Sequence, residues 1–320
     1  MSSIHRAALF VLASALGAAC GSDPAATKLS ASVSGASAST VSAAQAATST
    51  SAAPAHPSLP AGPVPCGALS CEVFDTPSAA LASILAKDKP LLLALGESHA
   101  LKGAEDVPST TAHFTDELLP TLDGKAAAMV LELWVTEGKC GKEKEAKVAE
   151  QQKEVTQHQK DDNPNEFVKL GEKSKSLGIV PFILRPTCDE YDTIQKAGDN
   201  AVLEMLSMIT RNMKKKSLAL LTEAKKKGPD KLVVTYGGAM HNDLAPKKGR
   251  EEWSFAADLA KAVSGRYVEL DLVVPEFIKD NEAWRSLPWF SAYDKEKFAG
   301  STVLIRMADH SYALVFPRTK

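Results

Sequence analysis

Two Gly-x-x-His elements, Gly96-Glu97-Ser98-His99 and Gly238-Ala239-Met240-His241, each follow a run of apolar residues. Glu132 interrupts a third such run, Leu131-Glu132-Leu133-Trp134, and Arg185 ends a fourth. Imidazole nitrogens and carboxylate oxygens brought together from different strands can coordinate a divalent metal ion, and an open coordination position lowers the pKa of a bound water towards about 7. In that arrangement His99 and His241, with Glu132 or Glu97, hold the ion. The remaining glutamate takes the proton and Arg185 stabilises developing negative charge. Gly96 and Gly238, at the same offset before each histidine, are read as permitting sharp turns that aim the imidazoles. An ionised Glu97 or Glu132 among apolar neighbours needs a partner, because burying a lone carboxylate is costly. A metal, a histidine or Arg185 would supply it.

Blander and competing readings exist for the same residues. Either histidine alone could be a hydrogen-bonded structural group at a strand end, and it is the repetition that argues for a site. Asp243 is expected to bond its own turn. His113 and His158 fall on ordinary helical pieces, and His310 in a solvated hairpin turn. The run Gly96-Glu97-Ser98-His99-Ala100 also approximates a nucleophile elbow, with Ser98 attacking and His310 as a late base. An elbow of that class follows several strands and an oxyanion loop, whereas only about 30 domain residues precede Ser98.

These residues must be positioned by the elements around them. The runs 90–95, 127–131, 179–184, 232–236 and 267–274 read as strands, mostly without the alternation of a half-wet sheet. Strands buried on both faces imply parallel pairing with helices on each side. Thr76-Pro77 is an N-cap and N1 pair for a helix carrying Leu81, Ile84 and Leu85. Trp253, Ala256, Ala257, Ala260 and Val263 make one stripe at helical spacing. The charged segment 142–162 reads as a solvated helix or excursion near the mouth, and 303–307 with 312–316 as an antiparallel hairpin or edge addition. The expected architecture is a three-layer α/β/α sandwich with a mainly parallel central sheet and a C-terminal antiparallel hairpin. Ligands of such sheets bind outside the carboxyl ends of the strands, where both histidines fall.

The 320 residues carry 37 basic and 39 acidic side chains, for a formal charge of −2, so no global basic field exists to hold a nucleic-acid backbone. Arg6 precedes the apolar run Ala7 to Leu16, too short to span a bilayer, followed by Gly17, Ala18, Ala19 and Cys20. This is a secretory signal, and 16–20 resembles a bacterial lipobox in which Cys20 becomes the acylated first residue. Residues 1–19 are thus expected to be a signal peptide, with Cys20 anchoring the chain in the cell envelope, by resemblance at the outer membrane. From Gly21 to Val64, 27 of the 44 residues are Ala, Ser or Thr, which cannot bury enough apolar surface to offset ordering entropy. The region 20–64 is read as a tether spanning roughly 35–40 Å, and 65–320 as the folded domain. An oxidising compartment favours disulfides. Cys140 and Cys188, each shortly after a strand, are expected to pair, as are Cys66 and Cys71.

Leu95-Gly96-Glu97-Ser98-His99, Val130-Leu131-Glu132-Leu133 and Tyr236-Gly237-Gly238-Ala239-Met240-His241-Asn242-Asp243 resemble, in order and strand placement, three successive motifs of the superfamily of ChaN-like, TraB/TIKI and erythromycin-esterase-like proteins. The resemblance spans 91 to about 246. The Gly-Glu-x-His form and the lipoprotein signal are most similar to ChaN-like haem-binding lipoproteins, while the paired Gly-x-x-His motifs are also those of TIKI-type metalloproteases. It therefore implies either metal-dependent hydrolysis of a peptide or ester bond, or binding of haem or iron. For a porphyrin, Trp134, Tyr191, Tyr236, Trp284 or Trp289 could form an aromatic wall, although aromatics are more often core.

Overall fold

The computed structural model describes residues 57–135 and 139–319. The expected signal peptide, Cys20 and the tether up to residue 56 lie outside the described residues. Nine strands form one sheet: β1 (Gly62–Cys66), β2 (Leu69–Phe74), β3 (Leu92–Glu97), β4 (Ala126–Trp134), β5 (Val180–Leu184), β6 (Leu232–Gly238), β7 (Tyr267–Val273), β8 (Thr302–Ala308) and β9 (Ser311–Val315). Their order across the sheet is β1-β2-β8-β9-β7-β3-β6-β4-β5. From β9 to β5 every neighbouring pair is parallel, while β1, β2 and β8 continue the sheet by antiparallel pairing.

The apolar runs explain the layers. Alternate residues of a strand point to opposite faces, and in β3 Leu93 and Leu95 enter one core while Leu92 and Ala94 enter another. The first core is closed by α1 (Pro77–Asp88), by α2 (Thr110–His113), which continues through a π turn at Phe114–Leu118, and by α4 (Asn163–Ser176). The second is closed by α3 (Lys142–Thr156), α5 (Cys188–Lys196), α6 (Ala201–Lys227) and α7 (Ala256–Ala262). A short α8 (Glu282–Arg285) accompanies a third cluster, in which Trp289, Tyr293 and Phe298 cover the antiparallel end of the sheet. This is the expected three-layer α/β/α arrangement.

Helix α1 starts as its sequence requires. Pro77 opens it and the Thr76 hydroxyl accepts the Ala79 N–H at 3.1 Å. Helix α3 is the expected solvated excursion, with Val148 buried on its inner side. Disulfides join Cys66 to Cys71 and Cys140 to Cys188, the second tying the exits of the adjacent strands β4 and β5.

Three expectations are corrected. Ordered chain starts before Pro65, because Gly62–Cys66 already pairs with β2, and Pro63 and Pro65 are tolerated in β1 because it is the sheet's edge. The β8–β9 hairpin is no edge addition: it sits inside the sheet, β9 running parallel to β7 and β8 antiparallel to β2. In the stripe around α7, Trp253, Ala256 and Val263 are buried and Ala260 packs against the core as expected, joined by Phe255 and Leu259, but Ala257 is exposed.

Candidate functional site

Three adjacent parallel strands, β3, β6 and β4, deliver polar side chains to one end of the sheet, and backbone register explains how they meet. Glu97 of β3 lies beside Gly238 of β6 in the pairing of those strands, and Leu131 of β4 lies beside Tyr236. Pairing between β4 and β5 slips between Leu131 and Trp134. A bulge of this kind re-aims side chains, and Glu132, inside it, crosses over β6. There Gly237 presents no side chain: a Cβ on it would stand 2.4 Å from Glu132 Oε2. The Glu132 carboxylate takes that space, and its Oε2 accepts the Gly238 N–H at 2.6 Å.

The two histidines are held in the same way from opposite faces of the sheet. His99 Nδ1 lies 2.6 Å from Glu97 Oε1. Glu97 is 4% exposed, and its other oxygen accepts the Thr111 hydroxyl at 2.8 Å and the Tyr236 hydroxyl at 2.6 Å. Burial and the Glu97 charge push the Tyr236 hydroxyl well above its ordinary pKa, so it remains a donor. His241 Nδ1 stands 2.9 Å from both the Trp253 carbonyl and the Thr210 hydroxyl of α6, which itself donates to that carbonyl at 2.8 Å. With each Nδ1 anchored on acceptors, each Nε2 is left for the site. His241 Nε2 lies 3.6 Å from Glu132 Oε1, longer than a good hydrogen bond.

Gly238 is the floor on which these groups converge. A Cβ placed there would stand 3.5 Å from Glu132 Oε2, 3.6 Å from His99 Nε2 and 3.9 Å from His241 Cδ2. The charges at this floor are strongly coupled. Burial alone would lower the His99 imidazole, but the Glu97 hydrogen bond and charge, with the charge of Glu132, carry it up to about 9. Burial alone would raise the Glu132 carboxyl, but His241, His99 and the Gly238 N–H bring it down to about 2. The two shifts are reciprocal: the neighbouring carboxylates favour a charged His99, and the imidazoles with the Gly238 N–H favour a charged Glu132.

The sequence expectations divide accordingly. His99, His241, Glu132 and Gly238 are together, and Glu97 is beside them. Glu97 holds its neighbours from a buried position: Oε1 faces His99 Nδ1, and Oε2 accepts from Thr111 and Tyr236. Arg185 is exposed after β5, outside the groups that ring Gly238. The glycines do not act as turn formers. Gly238 has φ −61°, and Gly96 lies within β3, where a Cβ would meet Asp271 Oδ1 at 2.4 Å and the Ala239 Cα at 2.7 Å. Their service is close approach and open floor. Asp243 does bond its own turn, accepting the Ala245 N–H at 2.8 Å. His310 lies 3.4 Å from Asp88, beside the start of β9 and the end of α1, at the opposite end of β3 from Ser98, so a Ser98–His310 pair does not form. His113 is buried, stacked on Phe316. Thr111, Thr210 and the Trp253 carbonyl escape a reading of local motifs because they come from helices and loops far away in sequence.

The side-chain types here, imidazole nitrogens and a carboxylate, are ones that ligate divalent ions in general. Histidine ligands commonly carry a carboxylate or carbonyl on the second ring nitrogen, as both do here, and a carboxylate oxygen faces one of the free nitrogens. Among the described residues, no group of three His, Cys, Asp or Glu side chains stands at metal-holding spacing. The groups instead stand as two carboxylate–imidazole pairs, Glu97–His99 at 2.6 Å and Glu132–His241 at 3.6 Å. Of the aromatic candidates, half-buried Trp134 packs on Tyr191 with ring centroids 6.0 Å apart, Trp284 packs on Trp289 at 5.9 Å in a separate core, and Tyr236 is buried holding Glu97. No family model, curated protein or solved structure matches this chain.

Proposed function

We propose that this protein is a metal-dependent hydrolase of peptide or ester bonds, with His99, His241 and Glu132 holding a divalent ion over Gly238. The observation that carries the reading is the anchoring of both imidazoles through Nδ1, one on a carboxylate and one on a carbonyl, at a floor without a side chain. The resemblance of the three motifs to the TraB/TIKI group supports it. Glu132 with a pKa of about 2 is too weak a base to deprotonate an ordinary water, and His99 with a pKa of about 9 carries its proton at neutral pH. What these groups lack is a base strong enough for water, and a divalent ion, taking the place of the His99 proton, would supply the chemistry that makes a water acidic near neutral pH. The Gly238 N–H fixes Glu132, Glu97 fixes His99, and Thr210 with the Trp253 carbonyl fixes His241. Haem binding is the weaker alternative, since the aromatics that would stack on a porphyrin are engaged in packing.

The test is elemental analysis of the native protein after exposure to zinc or manganese, with turnover of ester and peptide probes measured before and after chelation. One bound ion and chelator-sensitive turnover, both lost in H99A/H241A with native circular dichroism, are expected. A folded native protein that takes up no divalent metal, or whose turnover survives chelation, overturns the reading.

A further inference from the structure

The amino ends of the parallel strands carry a second organised feature, unrelated to the site at their carboxyl ends. Arg266, Lys231 and Lys125 directly precede β7, β6 and β4, and Lys89 stands three residues before β3. In the sheet the order is β7-β3-β6-β4, so Arg266, Lys89, Lys231 and Lys125 form a row about 15 Å long at the usual strand spacing. Lys225, Lys226 and Lys227 end α6 next to the start of β6 and are exposed. Helix-dipole complementarity accounts for the lysines of α6, but strand starts have no comparable dipole. Of the carboxylates at this end, Asp88 accepts the Tyr312 hydroxyl at 2.6 Å, Asp309 pairs with Arg306, and Asp123 is exposed. Asp230 pairs with Arg266 at 3.1 Å and Glu223 with Lys226 at 2.7 Å, while Lys89, Lys125, Lys225, Lys227 and Lys231 have no carboxylate partner among the described residues. Lys125 and Lys231 instead reach the backbone carbonyls of Thr121 and Gly124. The chain as a whole is slightly acidic, so this end is a local concentration of positive charge.

We infer that this basic end docks on an anionic phospholipid surface, leaving the His99–His241 end facing away from it. A row of cations across strand starts is a broad, shallow feature, which suits a planar array of headgroups, and the expected amino-terminal anchor would bring the domain to a bilayer. Basic residues attract the negative surface potential of such a membrane roughly additively, and the attraction falls off within a Debye length. The inference does not depend on the proposed hydrolysis.

The experiment is sedimentation of the full-length chain with vesicles of phosphatidylcholine alone or mixed with phosphatidylglycerol. The amino-terminal apolar run contributes equally to every variant, so differences between variants report the basic end. Expected is a preference for the anionic vesicles that is lost at high salt, and a drop in partitioning of at least about 100-fold in K225E/K226E/K227E, from roughly fivefold for each lysine lost and further repulsion from each glutamate gained. K89E/K125E provides an independent pair should the first variant fail to fold. K247E/K248E, on the loop after β6 at the other end, is expected to bind as the native chain does. Unchanged partitioning in folded K225E/K226E/K227E or K89E/K125E, no preference for anionic vesicles, or tighter binding to duplex DNA at the same ionic strength would overturn the inference.

Discussion

Gly238→Ala is the most discriminating single change available at this site. The residue has φ −61° and ψ 136°, a backbone conformation that alanine adopts without strain. Its new methyl would stand 3.5, 3.6 and 3.9 Å from Glu132 Oε2, His99 Nε2 and His241 Cδ2, which is ordinary van der Waals contact. Nothing must move for the protein to fold. Replacing glycine where the conformation suits alanine even favours the folded state by about 0.4–1 kcal/mol, offset here by partial desolvation of three polar groups, so stability should change by no more than about 1 kcal/mol. The methyl would nonetheless occupy the volume those groups share, and anything they hold in common is excluded. Ion content and turnover should fall by about 100-fold, because the methyl would keep an ion about an ångström off its place among groups that themselves stay put. Chemical denaturation would measure the first quantity, elemental analysis with probe hydrolysis the second. A stable Gly238→Ala protein with native ion content and native turnover would refute the placement of the site over Gly238. Gly237→Ala makes the contrast, since its Cβ would lie 2.4 Å from Glu132 Oε2 and 2.7 Å from Glu132 Cβ and must dislodge that side chain. It should lose both stability and binding.

Other expectations follow from individual contacts. The raised His99 pKa contributes stability that is complete below about 6.5 and is lost as pH rises through about 9, while the depressed Glu132 pKa contributes stability present above about 4.5 and lost as pH falls towards about 2. Denaturation at a series of pH values should therefore show an alkaline decline of roughly 3 kcal/mol that His99→Gln flattens; an identical decline in that variant would contradict the pairing with Glu97. Ion uptake by the native protein should tighten as pH rises from 6 to about 9, because the ion must displace the His99 proton, and titration calorimetry in buffered series would reveal it. Thr210→Val should weaken ion binding about 10- to 100-fold by freeing the His241 ring, and Thr210→Ser should restore it; equal affinities in both would show that the hydroxyl does no positioning. Replacing Cys140 and Cys188 by serine opens a loop of sequence separation 48 and should cost about 4 kcal/mol, against about 2 kcal/mol for Cys66 and Cys71 at separation 5, read as shifts in denaturation midpoint.

The central strands were legible in the sequence because a strand covered on both faces must be apolar at every position, and 90–95, 232–236 and 267–274 are nearly so. The edge was not. Gly62-Pro63-Val64-Pro65-Cys66 has two prolines in five residues, which argues against a strand unless the missing donors face outward, and only the tertiary arrangement supplies that outward edge. At the site, the repeated Gly-x-x-His offset marked His99 and His241, and a glutamate between leucines marked Glu132. Glu97 was equally visible, yet its role was not, because Thr111 and Tyr236 reach it across 14 and 139 residues of sequence. No local pattern distinguishes a carboxylate with free oxygens from one whose oxygens are both taken.

The glycines carry the lesson furthest. Gly96, Gly237 and Gly238 could each be read as hinges, but none adopts a left-handed conformation. Gly96 and Gly237 are small because another group needs the side-chain volume, Asp271 and the Ala239 backbone at Gly96 and Glu132 at Gly237, whereas Gly238 leaves an open floor that Glu132 and the imidazoles approach at contact distance. This explains how side chains from opposite faces of one sheet come to meet. Glu97 and Tyr236 project into the core beneath α1 and α4, whereas His241 and Thr210 lie on the side of α6. Bulky residues at 237 and 238 would wall those two halves apart. With two successive glycines at the end of β6, the bulged Glu132 can lie across the strand and the two histidines can face one floor. A single larger side chain at either position should separate the halves while leaving the sheet paired, which is why the site is more sensitive to these glycines than the fold is.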